Sequence, residues 1–435
     1  MNILLISGVS PNISAGLGNS IMKGLIDRGH QVDFITKYKF ENMNSNMYSV
    51  YDEYEKAKND NFLINNLKKI YLLLKRKIKK VFFKGELNKG KYIFNFDERE
   101  TWVDSVLLLS KVSNKYDLIL VLFWNHMITA KILQDIFQKL KAPMLLCVAD
   151  MLPITGGCYY FGKCERFLNS CGLCPAFNSK DPTDYTYHNF KYKKSVYNSI
   201  NYYYGGNTWL CEYGKQSPII ENRRIKELYL PINEDIFKIK DQKEIRKKLN
   251  IDQSKKFILF AGAADIEDER KGFKYLIDAI NLFYDNTDIE KRSELLLILA
   301  GKIIDENNLA FKMDTIQFGF VGEEILAELY SAADVFLCSS IDDAGPTMIN
   351  QSIMSGTPVI SFDIGIAIDI IVNAETGYKI KIKDSLEFSD RIKKIYELSS
   401  ENKIQMRNAC REIAMEKYSL PAFASRIEAI YNEIQ

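Results

Sequence analysis

Hydrophobic and polar positions along this chain follow two periods. Short continuous apolar runs occur at Ile3–Ser7, Leu118–Phe123 and Met144–Val148, and again at Phe257–Ala261, Leu295–Ala300, Val335–Cys338 and Pro358–Phe362. Stretches with helical spacing lie between them. Runs that are apolar on both faces fit strands of a parallel sheet covered by helices on each side. In Glu323–Asp334, the residues Ile325, Leu326, Leu329 and Tyr330 recur at helical spacing, which predicts one buried face. The β-α alternation restarts after residue 235, beyond a Pro-containing apolar segment that gives way to charge. The pattern therefore predicts an α/β protein of two doubly wound domains, residues 1–233 and 234–416, followed by a last helix at 417–435. That helix carries an apolar stripe of Phe423, Ile427, Ile430 and Tyr431.

Composition narrows the function. The chain has 435 residues, 47% of them hydrophobic, enough for full cores. With 58 basic and 56 acidic residues the formal charge is +2, which removes the global electrostatic argument for a nucleic-acid partner. The apolar run near residue 1 has no basic segment before it and reads as a first strand, not a signal peptide. No run reaches the roughly 18–20 apolar residues of a membrane span. The expected location is cytoplasmic, where thiols stay reduced. One segment stands apart: Asn65–Lys91 is strongly basic with Leu, Ile and Phe interleaved. It reads either as a solvated helix with one buried face or as a helix lying on an anionic membrane surface, which would make the chain peripheral on the inner face of the membrane.

Three loops offer candidate chemistry. After the first run, a loop with Gly8, Gly16 and Gly18 leads into a helix, where backbone amides can approach an anion. The spacing is not that of a dinucleotide site. His30, in the turn after that helix, reads as structural. After Gly262, Arg270 and Lys271 precede Gly272 and a helix. Two cations beyond the carboxyl end of a parallel strand suit a diphosphate, though a solvated basic pair would look the same. After Val335–Cys338, the loop Asp342-Asp343-Ala344-Gly345-Pro346-Thr347 runs into a helix at Met348–Ser355. Helix-start amides at Gly345, Thr347 and Met348 could hold a phosphate, an acid could take sugar hydroxyls, and Gln351 could bond a ribose. Acids complementing the helix dipole are the plainer alternative, but that leaves polar Asn350 and Gln351 in an apolar stretch unexplained.

Four of the eight cysteines cluster: Cys158, Cys164, Cys171 and Cys174 are separated by five, six and two residues. A four-cysteine set closing on C-x-x-C is a normal structural zinc set. Separate buried thiols, a disulfide pair and an iron–sulfur cluster are the alternatives.

Taken together, RGHQV, ERKGFKYLIDAI, FGFVGEEILAELYSAADVFLCSS and GPTMINQSIMSGTPVISFD resemble the retaining glycosyltransferases of family 4, in family order over most of the chain. The segment DMLPITGGCYY with its cysteines is similar to a subgroup associated with surface-polysaccharide assembly. The resemblance implies the GT-B fold, two Rossmann-like domains facing a cleft, with the last helix crossing back to the first domain. It implies a nucleotide-sugar donor, expected to be a UDP- or GDP-sugar, and a saccharide or lipid-linked acceptor for capsule, O-antigen or exopolysaccharide. Arg270, Lys271 and Asp342 or Asp343 would be catalytic. Gly262, Gly345, Pro346, Thr347, Met348 and Gln351 would bind donor, while Gly16, Gly18, His126 and Asp150 would face acceptor. No catalytic metal is expected at the diphosphate. Two positions depart from the family: Gln351 stands where a Glu is usual, and Ala149 where a His is. These departures keep a non-catalytic partner subunit of the same fold open, beside a nucleotide-sugar epimerase.

Overall fold

The computed structural model describes residues 1–8, 11–37, 46–50, 98–100, 105–112, 115–122, 127–302 and 310–435. His126 and the basic segment Asn65–Lys91 lie outside the described residues. The chain divides into two compact units, one of Met1–Gly206, Leu210–Leu228 and Arg426–Gln435, the other of Asn207–Trp209 and Tyr229–Ser425.

Among the described residues the first unit holds a seven-stranded sheet. Its strands are β1 (Asn2–Ser7), β2 (Gln31–Thr36), β3 (Met47–Ser49), β4 (Leu118–Leu122), β5 (Met144–Cys147), β6 (Tyr202–Gly206) and β7 (Ile225–Glu227). They lie in the order β3-β2-β1-β4-β5-β6-β7, every pair parallel. The order reverses direction beside β1, as in doubly wound sheets. Residues 3–6 of β1 and all of β4 are fully buried, which is why these strands are continuous apolar runs.

The helix after β1 begins earlier than the glycine pattern predicts. It spans Pro11–Asp27, so Gly16 and Gly18 lie inside it and not in a ligand loop. Proline suits a first helical position because its fixed φ and missing N–H cost nothing there. Gly18 has a packing reason: a Cβ on it would sit 2.6 Å from Phe34 Cζ of β2. Past the helix, His30 Nε2 is 3.0 Å from Glu428, which also pairs with Arg28 at 2.5 Å. Lys226 meets Glu433 at 2.6 Å, so residues 426–434 of the helix Leu420–Ile434 pack on this unit.

The second unit holds β8 (Phe257–Asp265), β9 (Leu295–Lys302), β10 (Thr315–Gln317), β11 (Val335–Cys338), β12 (Val359–Phe362) and β13 (Gly377–Ile380). Their order is β10-β9-β8-β11-β12-β13, again all parallel. Alternate residues of β11 enter opposite cores, Val335 and Leu337 into one, Phe336 and Cys338 into the other, as strand geometry requires. Phe260, Tyr330 and Phe336 form an aromatic triangle with ring centroids 5.0, 5.3 and 5.3 Å apart. Leu329 and Tyr330 of the helix Glu323–Ala332 are buried, but Ile325 is 38% exposed and lies off the packed face. Among the described residues no helix is long and apolar enough to cross a membrane.

Gly18→Ala should lose about 1–3 kcal/mol in urea unfolding, because Phe34 is buried and cannot retreat without straining the core. Adding Phe34→Leu should recover part of that loss; equal stability of Gly18→Ala and wild type would refute the close-packing account.

Candidate functional site

In the second unit, the parallel pairing of β8 with β11 sets their outgoing turns side by side. The turn after β8 contains a short 3-10 helix, Glu269–Lys271, opened by Asp268, whose side chain accepts the Arg270 N–H at 3.0 Å. The Arg270 guanidinium also pairs with the Asp268 carboxylate. Gly272 follows at φ +63, a conformation that favours glycine, and a Cβ there would meet Ser339 O at 2.1 Å.

That close approach joins the two turns. Ile341 N donates to Arg270 O at 2.7 Å, and Ser339 Oγ to Lys271 O at 2.8 Å. Lys271 Nζ lies 2.5 Å from Asp343 Oδ2, with 21% and 7% of the two side chains exposed. Burial lowers the Lys271 pKa, but attraction to Asp343 outweighs it, and the net direction is up. The ammonium is therefore charged at any physiological pH.

The second carboxylate oxygen of Asp343 accepts the Gly345 N–H at 3.1 Å. The Gly345 amide, expected to be an open donor, is thus used inside its own loop. Asn207 Nδ2 holds Ala344 O at 2.7 Å. Pro346 precedes the helix Thr347–Met354, and among the described residues no side chain caps it. The first amides of such a helix have no partner within it. Thr347 is exposed and Met348 half-buried, so this end meets solvent. Met348 packs over Gly262, where an added Cβ would lie 2.9 Å from Met348 Cε.

Gln351 is not open as its spacing suggested. It is buried, and its Oε1 accepts the Tyr330 hydroxyl at 3.4 Å. Asn350 is also buried, and among the described residues its Oδ1 has no hydrogen-bond partner. Asp342 is half-buried in the same loop.

The first unit has its own polar constellation, which the spacing of residues did not reveal. Beyond β5, the Asp150 carboxylate accepts the Leu152 N–H at 2.8 Å. Lys193, fully buried, donates to Leu152 O at 2.5 Å and Thr155 O at 2.9 Å, and lies 3.5 Å from the equally buried Glu98. Glu98 in turn accepts the Ala130 N–H at 2.8 Å. Burial raises the Asp150 pKa to about 7, only partly offset by the Leu152 N–H and Lys193.

Residues 241–417 match the family described as Glycosyl transferases group 1. An uncharacterized glycosyltransferase of Methanocaldococcus jannaschii is 23% identical over 219 residues, 48% of this chain and 54% of that protein. An N-acetyl-alpha-D-glucosaminyl L-malate synthase of Bacillus anthracis is 21% identical over 49% of this chain and 55% of its own length. The match thus spans about half of these relatives. Sucrose-phosphate synthase from Thermosynechococcus elongatus superposes with a TM-score of 0.61 at 15% identity, covering 100% of this chain and 99% of that one. Anabaena HepE, solved with UDP-glucose, gives 0.60 at 13% identity over 100% of both. At such identities the likeness shows the fold, two doubly wound parallel sheets of GT-B type.

Gly272→Ala should cost about 2–4 kcal/mol in chemical unfolding, combining left-handed strain with the Ser339 carbonyl clash. Gly319 has φ +64 but nothing within 4 Å of a Cβ, so Gly319→Ala should lose only about 1 kcal/mol. Equal losses would mean that the two turns are not locked by that approach.

Asp150 binds its proton more tightly folded than at its ordinary value of 3.8. The folded chain therefore holds more protons between pH 3.8 and about 7, and stability falls as pH rises across that window. Asp150→Asn should raise the melting temperature relative to wild type at pH 8, with the difference fading toward pH 4. A gap that does not change with pH would exclude the buried-carboxyl account.

Proposed function

We propose that this chain is a retaining glycosyltransferase that moves a sugar from a nucleotide-sugar donor to a saccharide or lipid-linked acceptor in surface-polysaccharide assembly. One observation carries this reading: the stretch similar to group 1 glycosyl transferases contains both the Lys271–Asp343 pair and the uncapped helix start at Thr347. Cations and helix-start amides on neighbouring turns of one sheet suit a diphosphate. The UDP-glucose complex of Anabaena HepE, a protein of the same fold, favours a UDP-sugar as donor.

Lys271 and Arg270 stabilise the charge that gathers on the diphosphate as the bond to the sugar breaks. The amides of Thr347 and Met348 bind phosphate oxygens. Asp342 accepts from sugar hydroxyls, while Asp343 keeps Lys271 aimed. Gln351 is buried with its oxygen on Tyr330, so it serves the packing of this helix and not a direct bond to the ribose. The acceptor hydroxyl attacks the same face of the sugar, so configuration is retained. Asp150 and Gly18 belong to the acceptor-side unit in this reading, with His126 and the basic segment Asn65–Lys91 as further acceptor or membrane contacts.

A second reading has one observation behind it. Gln351, where the family has Glu, is buried against Tyr330 and carries no charge toward a ribose. A partner subunit that binds nucleotide without turnover would tolerate this.

In a thermal-shift series of UDP-, GDP-, ADP-, dTDP- and CMP-sugars, one nucleotide class should stabilise wild type by about 2.7 kcal/mol at 100 Kd. Lys271→Ala should abolish that gain and lower transfer by about 10²–10³-fold. Stabilisation without transfer to any acceptor would favour the partner subunit, and no stabilisation by any nucleotide would remove the donor site.

A further inference from the structure

Between Asp150 and the helix Tyr185–Tyr197 the chain leaves the sheet for a long excursion with only three 3-10 turns. Cys158, Cys164, Cys171 and Cys174 all line one cavity of about 20 Å³ within it. That volume suits a single ion or water and excludes an organic ligand.

The closing turn is built against backbone preference. Cys171, Gly172 and Leu173 have φ of +58°, +85° and +46° in succession. Holding cysteine and leucine there costs on the order of 1 kcal/mol each. Surrounding bonds enforce it. Leu173 N donates to Asp181 O at 2.9 Å, Gly172 N to Thr186 Oγ1 at 3.0 Å and Cys174 N to Asp184 Oδ2 at 2.8 Å. Asp184 also caps the helix Tyr185–Tyr197. A Cβ at residue 172 would lie 2.0 Å from Pro182 O. The Gly156 N–H points at Cys171 Sγ at 3.2 Å.

Among the described residues, Cys174, Ala176 and Phe177 form a small buried cluster beside the turn, with Cys158 and Tyr185 against it. The outer side is held by Phe161 and Phe167, packed on Tyr213 with centroids 4.9 and 6.0 Å away.

We propose that Cys158, Cys164, Cys171 and Cys174 bind one thiophilic divalent cation of the zinc class as a structural site. Among the described residues no three such groups already converge at coordination distance, so the ion draws the sulfurs inward by side-chain rotation. Each sulfur loses its S–H proton to solvent as a metal–sulfur bond forms, and nothing is oxidised or reduced. The ion ties together the four widely spaced cysteines of the excursion, which has no strand or α-helix of its own.

The test uses the full chain, purified reduced and without chelator. Elemental analysis should find about one zinc per chain. Of the eight cysteines, the four in the cluster should resist a thiol reagent until a chelator is added. Cys164→Ser and Cys171→Ser should each lose most of the metal, whereas Cys147→Ser and Cys410→Ser should keep it. Should the cluster variants fail to fold, wild type grown with cobalt should show the intense visible bands of tetrahedral cobalt–thiolate. A metal-free chain with every thiol reactive, a mass deficit from disulfides, or the absorbance of an iron–sulfur cluster would each overturn the proposal.

Discussion

The parallel pairing of β8 with β11 is the constraint on which the candidate site depends. Parallel neighbours send their outgoing turns to the same edge, so residues 72 positions apart in sequence, Lys271 and Asp343, meet there. Their ion pair is mostly shielded from water, so removing one partner would leave an uncompensated charge and cost more than breaking a surface pair. Gly272 makes the approach sterically feasible, and the Ile341–Arg270 backbone bond fixes its register. The charge offered to an anion is thus set by the sheet and not by a free side chain searching for a partner.

The same economy places the polar end of the helix Thr347–Met354. Its inner face must bury Ile349 and Ile353, and this fixes the rotation at which Asn350 and Gln351 enter the structure. Tyr330, already committed to the aromatic triangle, then supplies a hydroxyl to Gln351. A glutamate at 351 would face the same tyrosine, but its charge would have to be buried with a single hydroxyl to hold it. An amide avoids that cost, which explains physically why this position can be neutral here.

Much of this was legible in the chain. The strands β1, β4, β5, β8, β9, β11 and β12 are continuous apolar runs because both faces are covered, and the spacing of runs gave their number and direction. The short edge strands β3, β7, β10 and β13 left no such run, and β6 is written in tyrosine and glycine, so none of these declared itself. The cations and the loop acids were visible as types. Which acid meets Lys271 was not, since Asp342 and Asp343 differ by one residue in sequence and only the turn decides which faces inward. Gly16 and Gly18 suggested a ligand loop because local sequence does not reveal that Phe34 needs a gap in a helix already under way from Pro11. Lys193 was invisible for a different reason: one of three lysines in a tyrosine-rich helix gives no hint that its acceptors are carbonyls some forty residues earlier.

That lysine makes the first unit a single mechanical chain. Lys193 holds Leu152 O and Thr155 O together, so the turn carrying Asp150 cannot move without breaking charge-assisted bonds in a buried setting. Thr155 passes the constraint on, its hydroxyl donating to Cys158 O at 2.7 Å. Asn189, one turn earlier on the same helix as Lys193, reaches Gly156 O at 3.2 Å. Thr155 thus bonds Cys158 through its hydroxyl and, through its carbonyl, the ammonium that also holds Leu152, whose N–H Asp150 accepts. The route consists of short backbone steps and one buried cation, each with a partner that burial makes costly to abandon.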